Sequence, residues 1–191
     1  MKSLTKITAI IALAFLTFSF TEPVKSTKEV DTAASTVTWK GYKVTGSHTG
    51  KITIKSGNLI FDDNALIGGN FVIDMTTITV TDLSGDYKQN LEGHLKSDDF
   101  FGVEKFPTAS LVFTNVKATG KNAYSVQGKI TIKGKTENIS FDLSVYGNKA
   151  TAALKIDRTK FDVRYGSTSF FDGLKDKAIY DEFDIVVDLE F

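Results

Sequence analysis

Apolar and polar residues alternate strictly over most of the chain from residue 36 onward. In the segment KITIKSGNLIF, Ile52 and Ile54 share one face, and Leu59 and Phe61 share one after a bend marked by Gly57. Side chains of a β-strand point alternately to opposite faces, so this period of two predicts half-buried strands.

The alternation recurs in segments joined by short, turn-forming sequences. It predicts eight strands, near residues 35–44, 47–61, 65–78, 109–119, 122–134, 136–146, 149–158 and 181–191. Most connections are too short for anything but antiparallel hairpins. We therefore predict an all-β fold, an eight-stranded antiparallel up-and-down β-barrel, because closure removes the exposed sheet edges. A β-sandwich is the alternative.

Two segments break the alternation and predict short helical insertions. In residues 79–108, Tyr87, Leu91 and Leu95 recur at helical spacing. In residues 159–180, Leu174 and Ala178 are spaced for a short helix. Asp86 with Gln89 resembles a capping box at the start of the first helix.

Both insertions are rich in aromatic residues, although charged and small polar residues surround them. Phe100, Phe101 and Phe106 lie within seven positions of the polar stretch HLKSDDFFGVEKFPTAS. An eight-stranded barrel has room for side chains or one small ligand, so these rings are expected to cover an apolar interior. The alternative is that they fill the end of the barrel as ordinary core.

The composition agrees with a β fold and adds an export signal. The chain has 15 Phe, six Tyr and no Cys among its 191 residues. Lys2 and Lys6 precede an apolar run from Ile7 to Phe20, which is the pattern of a cleaved signal peptide and is short for a membrane anchor. We expect a signal peptide over residues 1–21, a flexible lead over 22–29 and one domain over 30–191.

The charges and motifs exclude several classes of function. Without Lys2 and Lys6 the chain carries 21 basic and 23 acidic side chains, a balance that does not favour nucleic acid. His48 and His94 are the only histidines and lack metal-ligand spacing, so no metal or cofactor is expected. No nucleophile elbow or phosphate-binding loop is present, so the chain is not expected to be an enzyme.

The two arginines stand out against 21 lysines, because Arg158 and Arg164 lie six residues apart. A planar guanidinium suits bidentate contacts to carboxylates or carbonyls. Arg158 has two interpretations. It forms an ion pair that fixes the insertion to the barrel, with Asp98 or Asp172 as the candidate partner, or it makes a polar contact to a ligand head group.

Three longer stretches resemble the YceI-like family of exported proteins. They are LEGHLKSDDFFGVEKFPTASLVF, GKITIKGKTENISFDLSV and IDRTKFDVRYG, and the resemblance spans roughly residues 30 to 191. It implies a lipocalin-like antiparallel barrel, secreted to the periplasm, that holds a long isoprenoid or similar lipid chain.

These observations predict a barrel that binds, carries or stores a long apolar lipid, without catalysis, in the periplasm or outside the cell. The partner is a hydrophobic small molecule, and no stable membrane insertion is expected after signal cleavage. The predicted ligand-binding residues are Trp39, Phe61, Phe71, Ile73, Phe100, Phe101, Phe113, Phe141, Leu154, Arg158, Phe161 and Phe171. The alternatives are a structural or stress-related envelope protein with a filled barrel, and a lipid-modifying enzyme on the same scaffold.

Overall fold

A computed structural model describes residues 25–191 of the chain. The predicted signal peptide, residues 1–21, lies outside the described residues and stays a prediction. Residues 22–29 were expected to form a flexible lead, and this is wrong for the part that the structure describes. Lys25–Glu29 forms strand β1, which pairs with a later strand from Lys25↔Asp62 to Glu29↔Asn58. The alternation of apolar and polar residues did not predict this strand, because five residues are too few to show a period of two.

The described chain consists of nine strands, one α-helix and two single turns of 3₁₀-helix. The elements are β1 (Lys25–Glu29), β2 (Thr36–Lys43), β3 (Gly46–Asp62), β4 (Ala65–Val80), α1 (Gly85–Lys96), β5 (Thr108–Gly120), β6 (Ala123–Ile132), β7 (Lys135–Tyr146), β8 (Lys149–Asp157), the 3₁₀ turns Arg158–Phe161 and Lys175–Lys177, and β9 (Ile179–Glu190). The predicted alternating segments correspond to β2–β9, and the structure confirms them.

Strands β2 to β9 close into an eight-stranded antiparallel barrel in which each strand pairs with its neighbours in the chain. The ring closes between the first and the last of them, from Thr36↔Asp188 to Lys43↔Ile179. The predicted up-and-down barrel is therefore confirmed. Strands β1 and β2 both pair with β3, at different parts of its length. β2 pairs with Gly46–Ile52, and β1 pairs with Asn58–Asp62.

Long strands bend where glycines allow close contact. The β3–β4 register shifts between Ile54 and Ser56, beside the predicted bend at Gly57. A Cβ on Gly57 would lie 2.6 Å from the Phe71 ring, and one on Gly50 would lie 1.8 Å from the Thr79 carbonyl oxygen. Both positions therefore exclude any larger residue.

The two insertions differ in their helical content. The first contains α1, as the Tyr87–Leu91–Leu95 stripe predicts, but the predicted capping box is wrong. The helix begins after Ser84, and no side chain caps it. The second insertion contains no α-helix, only the 3₁₀ turns, and Leu174 precedes the turn at Lys175–Lys177. A Lys175 backbone φ of 47° and Gly173 at 71° interrupt the helical geometry that the spacing suggested.

The barrel has two unlike ends, which we name by their connections. The hairpin end carries the tight turns at residues 63–64, 121–122 and 147–148, together with β1 and the C-terminus. The insertion end carries residues 81–107 and 158–178. The buried apolar residues form two clusters, one centred on Leu59, Phe61 and Val126 and the other on Trp39, Leu95 and Phe101.

Candidate binding cavity in the barrel

The interior of the barrel contains a cavity of about 200 Å³ whose lining is almost entirely apolar. Alternate residues of the strands supply it, since one face of each strand points inward. On β8, for example, Ala152, Leu154 and Ile156 line it while Ala153 and Lys155 are exposed. Both core clusters contribute, so the cavity runs along the barrel.

The cavity reaches the surface between β2 and β9. Its lining there includes Gly41, Tyr42 and Tyr180, and Tyr180 is 55% exposed. Gly41 follows Val37 and Trp39 in the inward register of β2, yet a Cβ at this position would meet no atom within 4 Å. The β2–β9 register also shifts between Gly41 and Lys43. We call this part of the lining, at Gly41, Tyr42 and Tyr180, the mouth of the cavity.

Aromatic residues of the first insertion cover the cavity at the insertion end. Phe100 and Phe101 are buried, line the cavity and meet edge to face, with 5.1 Å between ring centroids. Phe101 also lies 6.4 Å from Phe183 of β9. Phe106 does not line the cavity; its ring packs against the turn glycine Gly134. The Phe100–Phe101 pair is therefore the cover that the sequence predicted, without Phe106.

Two charged side chains fix the first insertion in place. Glu92 of α1 accepts hydrogen bonds from the Thr79 hydroxyl at 2.6 Å and from the Val80 N–H at 2.8 Å. These bonds, the hydroxyl first, hold the pKa of Glu92 below its usual value. The Lys133 ammonium donates to the carbonyl oxygens of Phe100 at 2.7 Å and Asp98 at 2.9 Å. The helix and the aromatic cover are thus tied to the barrel wall.

Arg158 fixes the second insertion by hydrogen bonds to backbone carbonyls. Its side chain is 2% exposed. The guanidinium donates to four carbonyl oxygens at 2.8–3.0 Å, those of Val163, Tyr165, Ile179 and Tyr180. Asp181 lies 3.5 Å from Nη2, and the guanidinium lies 5.5 Å from the centre of the Phe100 ring.

The bonding of Arg158 favours the structural one of its two predicted roles. The expected partners Asp98 and Asp172 are wrong, because Asp181 and the four carbonyls occupy the guanidinium instead. Burial lowers the pKa of Arg158, against the opposing effect of Asp181. Although Arg158 lines the cavity, its N–H groups point into the insertion backbone and are already used.

Other polar groups beside the cavity are also hydrogen-bonded to protein partners. The Trp39 Nε1–H donates to the Thr79 carbonyl oxygen at 3.2 Å. The Tyr42 hydroxyl donates to Asp184 at 2.5 Å, and Lys155 donates to the same carboxylate at 2.9 Å. The hydrogen bonds from Tyr42 and then Lys155 lower the pKa of Asp184. The cavity therefore presents hydrocarbon rather than free hydrogen-bonding groups.

The structure brings most of the predicted ligand-binding residues to the cavity. Those that line it are Trp39, Phe71, Ile73, Phe100, Phe101, Phe113, Phe141, Leu154 and Arg158. Three others do not line it, and their expected positions are corrected here. Phe61 packs against Phe191 at the hairpin end, at 5.9 Å between ring centroids. Phe161 is buried in the 3₁₀ turn after β8, and Phe171 is 50% exposed.

The sequence did not predict several lining residues of β2 and β9 at or near the mouth. Gly41, Tyr180 and Phe183 were absent from the predicted set although they line the cavity. Gly41 carried a usable signal, because it takes an inward position in the alternating series Val37, Trp39, Gly41. Tyr180 gave none, since its place depends on how the second insertion returns to β9.

Within the described residues, 25–191, metal sites and membrane-spanning helices can also be assessed. Within this range no cluster of three or more His, Cys, Asp or Glu side chains has the geometry to hold a metal ion. None of the helices in the same range has both the length and the apolar character needed to cross a bilayer.

Comparison with known proteins agrees with this geometry. A family model described as the YceI-like domain matches residues 29–191. A UPF0312 protein of Pseudomonas putida strain W619 is 32% identical over 87 residues, which are 41% of this chain and 45% of that protein. The chain thus spans less than half the length of this curated relative in the match.

Solved structures resemble the whole barrel. Burkholderia cenocepacia BcnA is 25% identical with a TM-score of 0.66, covering 84% of this chain and 98% of that one. A polyisoprenoid-binding domain from Saccharophagus degradans, implicated in plant cell wall breakdown, is 15% identical with a TM-score of 0.60, covering 88% and 99%. At the lower identity the likeness shows the fold alone.

Proposed function

Because the chain belongs to the YceI-like domain family, we propose that it binds a long apolar lipid inside its barrel and carries or stores that lipid without chemical change. The observation that carries the proposal is the cavity of about 200 Å³ with an almost wholly apolar lining. The proposed ligand classes are an isoprenoid, an isoprenoid quinone or a fatty-acid-like chain.

Burial of hydrocarbon supplies the affinity. Each buried methylene contributes about 0.8 kcal/mol, so a long chain needs no ionic contact. Val37, Leu154 and Val187 are among the aliphatic side chains that a bound chain would contact.

The polar end of such a ligand belongs at the mouth rather than deep in the barrel. The donors of Arg158 are bound to four carbonyls, and Trp39 is bound to Thr79. A buried head group would compete with those bonds and leave backbone carbonyls unsatisfied, which costs roughly 1–3 kcal/mol each. This favours neutral hydrocarbon chains over buried carboxylates, and the description of the Saccharophagus degradans domain as polyisoprenoid-binding supports the isoprenoid class.

The cell envelope is the proposed location. The basic start and apolar run of residues 1–20 support export to the periplasm, with release outside the cell as the alternative. A water-filled compartment is where a barrel that shields an apolar chain has most to contribute.

The cavity bears on both alternative functions. A barrel filled by its own side chains leaves no space of this size. An enzyme acting on the lipid needs titratable groups at the cavity that are free to bind or transfer a proton. Arg158 and Tyr42 are already hydrogen-bonded to carbonyl and carboxylate partners. Neither alternative gains support from a specific observation.

Native mass spectrometry of the protein purified without detergent from its own host tests the proposal. A discrete added mass that extracts into organic solvent is the expected result and identifies the ligand class. A bare protein mass, unchanged after incubation with quinones, isoprenoids and fatty acids, overturns the proposal.

Two neighbouring alanines give a matched test of where the lipid lies. Ala152 lines the cavity, and Ala153 on the same strand is exposed. Ala152→Phe places a ring inside the cavity, so we expect lipid occupancy in native mass spectra to fall at least about tenfold, because displaced methylenes contribute about 0.8 kcal/mol each. Ala153→Phe is expected to keep wild-type occupancy. Equal occupancy in both variants contradicts a ligand inside the barrel.

A further inference from the structure

Several exposed apolar side chains lie on segments next to the cavity mouth. They lie on three neighbouring segments, residues 165–171, 178–180 and 43–44, and are 46–55% exposed. These residues are Val44, Tyr165, Phe170, Phe171 and Tyr180, and we call them the rim patch.

Backbone hydrogen bonds join the three segments that carry the rim patch. The Ile179 N–H donates to the Gly166 carbonyl oxygen at 2.8 Å, which joins the first segment to the second. The Val44 N–H donates to the Ala178 carbonyl oxygen at 3.2 Å, which joins the second to the third. Tyr180 belongs to both the rim patch and the cavity lining. The rim patch therefore meets the cavity lining at Tyr180.

We propose that the rim patch docks the protein on the surface of a phospholipid bilayer, with the mouth facing the membrane. This inference rests on the proposed function, because a lipid that fills the cavity has to enter or leave without crossing water. Phe and Tyr side chains suit the membrane–water interface, where a ring is buried beside polar head groups. An exposed apolar patch beside the mouth of an apolar cavity fits a lipid surface better than a folded partner, which would block the mouth.

The charges around the rim patch fit a bilayer that contains some anionic lipid. Lys43, Lys175 and Lys177 make no ion pair among the residues that the structure describes. Of the nearby carboxylates, Asp162 is paired with Arg164 and Asp181 accepts from Ser169.

Two further carboxylates, Asp172 and Asp176, lie in the same insertion and offset most of the lysine charge. The aromatic rings are therefore the main attachment. Added salt is expected to weaken vesicle binding only slightly.

The rim patch also explains the exposure of two phenylalanines. Phe170 lies under the Arg164 guanidinium at 4.7 Å and is still 46% exposed, and Phe171 is 50% exposed. Neither lines the cavity, so replacing both leaves the cavity intact. They are the residues with which docking can be separated from lipid binding.

Vesicle flotation tests the proposal with the protein isolated from its own host. The vesicles contain phosphatidylcholine with a minor fraction of phosphatidylglycerol. We expect wild-type protein to float and the double variant Phe170→Ser/Phe171→Ser to bind at least about tenfold more weakly, since burial of each ring contributes strongly to binding. The matched control is Tyr146→Ser, which removes an aromatic ring that is 59% exposed at the hairpin end. This control is expected to float as wild type does.

Three outcomes overturn the docking surface: wild-type protein that does not float, a double variant that floats as well as wild type, or a Tyr146→Ser variant that loses flotation equally. Native mass spectra of the same samples separate this inference from the proposed function. Lipid-loaded protein that does not float overturns docking alone. Protein that floats but keeps a bare mass after incubation with quinones, isoprenoids and fatty acids overturns the proposed function alone.

Discussion

The two ends of the barrel are closed by different forces. At the hairpin end, Leu59, Phe61 and Phe191 pack together, and the connections are turns of two residues. At the insertion end, two long segments fold over the opening, and Arg158, Lys133 and Glu92 hold them through hydrogen bonds to the backbone and a hydroxyl.

The reason for the difference lies in the backbone. A two-residue hairpin turn leaves almost every nearby N–H and C=O in the strand ladder, so apolar side chains suffice to close that end. A long insertion carries many carbonyls with no strand partner. Each one that is buried needs a donor, and a guanidinium provides five. Charged side chains at the insertion end therefore stabilise the cover of the cavity, while the ligand contacts remain apolar.

The largest effect is expected from replacing Arg158, which holds the second insertion through four backbone carbonyls. Arg158→Leu leaves one buried and three partly buried carbonyls without their donor. We therefore expect a loss of roughly 3–5 kcal/mol in the free energy of unfolding, measured by urea denaturation. Arg164→Leu is the control, because Arg164 is 54% exposed and paired only with Asp162, and its loss is expected to be below about 1 kcal/mol. A stable Arg158→Leu variant with altered lipid selectivity would assign this residue to the ligand head group instead.

A smaller loss is expected from a truncation at the hairpin end. Leu59 is fully buried and does not line the cavity. Leu59→Ala is expected to lower the free energy of unfolding by about 3 kcal/mol through lost burial and a new void. Lipid occupancy measured by native mass spectrometry is expected to stay at the wild-type level. A large fall in occupancy at a temperature where the variant is folded would show that the hairpin end takes part in binding.

The smallest effect is expected at Glu92, and it depends on pH. The folded-state pKa of Glu92 is lowered, so the carboxylate stabilises the fold above its unfolded pKa of about 4.5 and this contribution disappears as the pH falls through the lowered value. Glu92→Gln is expected to cost roughly 1 kcal/mol at neutral pH. The difference from wild type should shrink on acidification, as measured by denaturation at several pH values.

The exposed Glu104 of the same insertion provides the control for that experiment. Glu104→Gln is expected to leave stability unchanged over the same pH range. A Glu92→Gln difference that stays constant down to acidic pH would show that the carboxylate charge does not anchor the helix.

The barrel wall was predictable because the residues that determine each strand and hairpin are neighbours in the sequence. Alternating residues fix which face is buried, and turn pairs such as Lys133-Gly134 fix the connections; both residues of that pair have the positive φ that tight hairpins favour. The same holds for α1, whose stripe of Tyr87, Leu91 and Leu95 has helical spacing.

The insertion end was less predictable because its contacts are distant in the chain. Arg158 reaches Tyr180, and Lys133 reaches Phe100; no period in the sequence signals a bond from a side chain to a remote carbonyl. For the same reason Phe171 was expected to contact the ligand at an end of the barrel, although it is exposed and does not line the cavity. Apolar character identifies rings that avoid water, but it does not distinguish the lining of a cavity from a docking surface.

The pairing of β2 with β9 has a consequence for the order of folding. Thr36 pairs with Asp188, so the contact that closes the ring joins residues separated by 152 positions. Loops of this length are slow to close, whereas the hairpins between neighbouring strands form early. The curved sheet is therefore expected to assemble first and to seal last along the seam that contains Gly41. During synthesis the apolar interior thus stays open on one side until β9 becomes available to pair with β2.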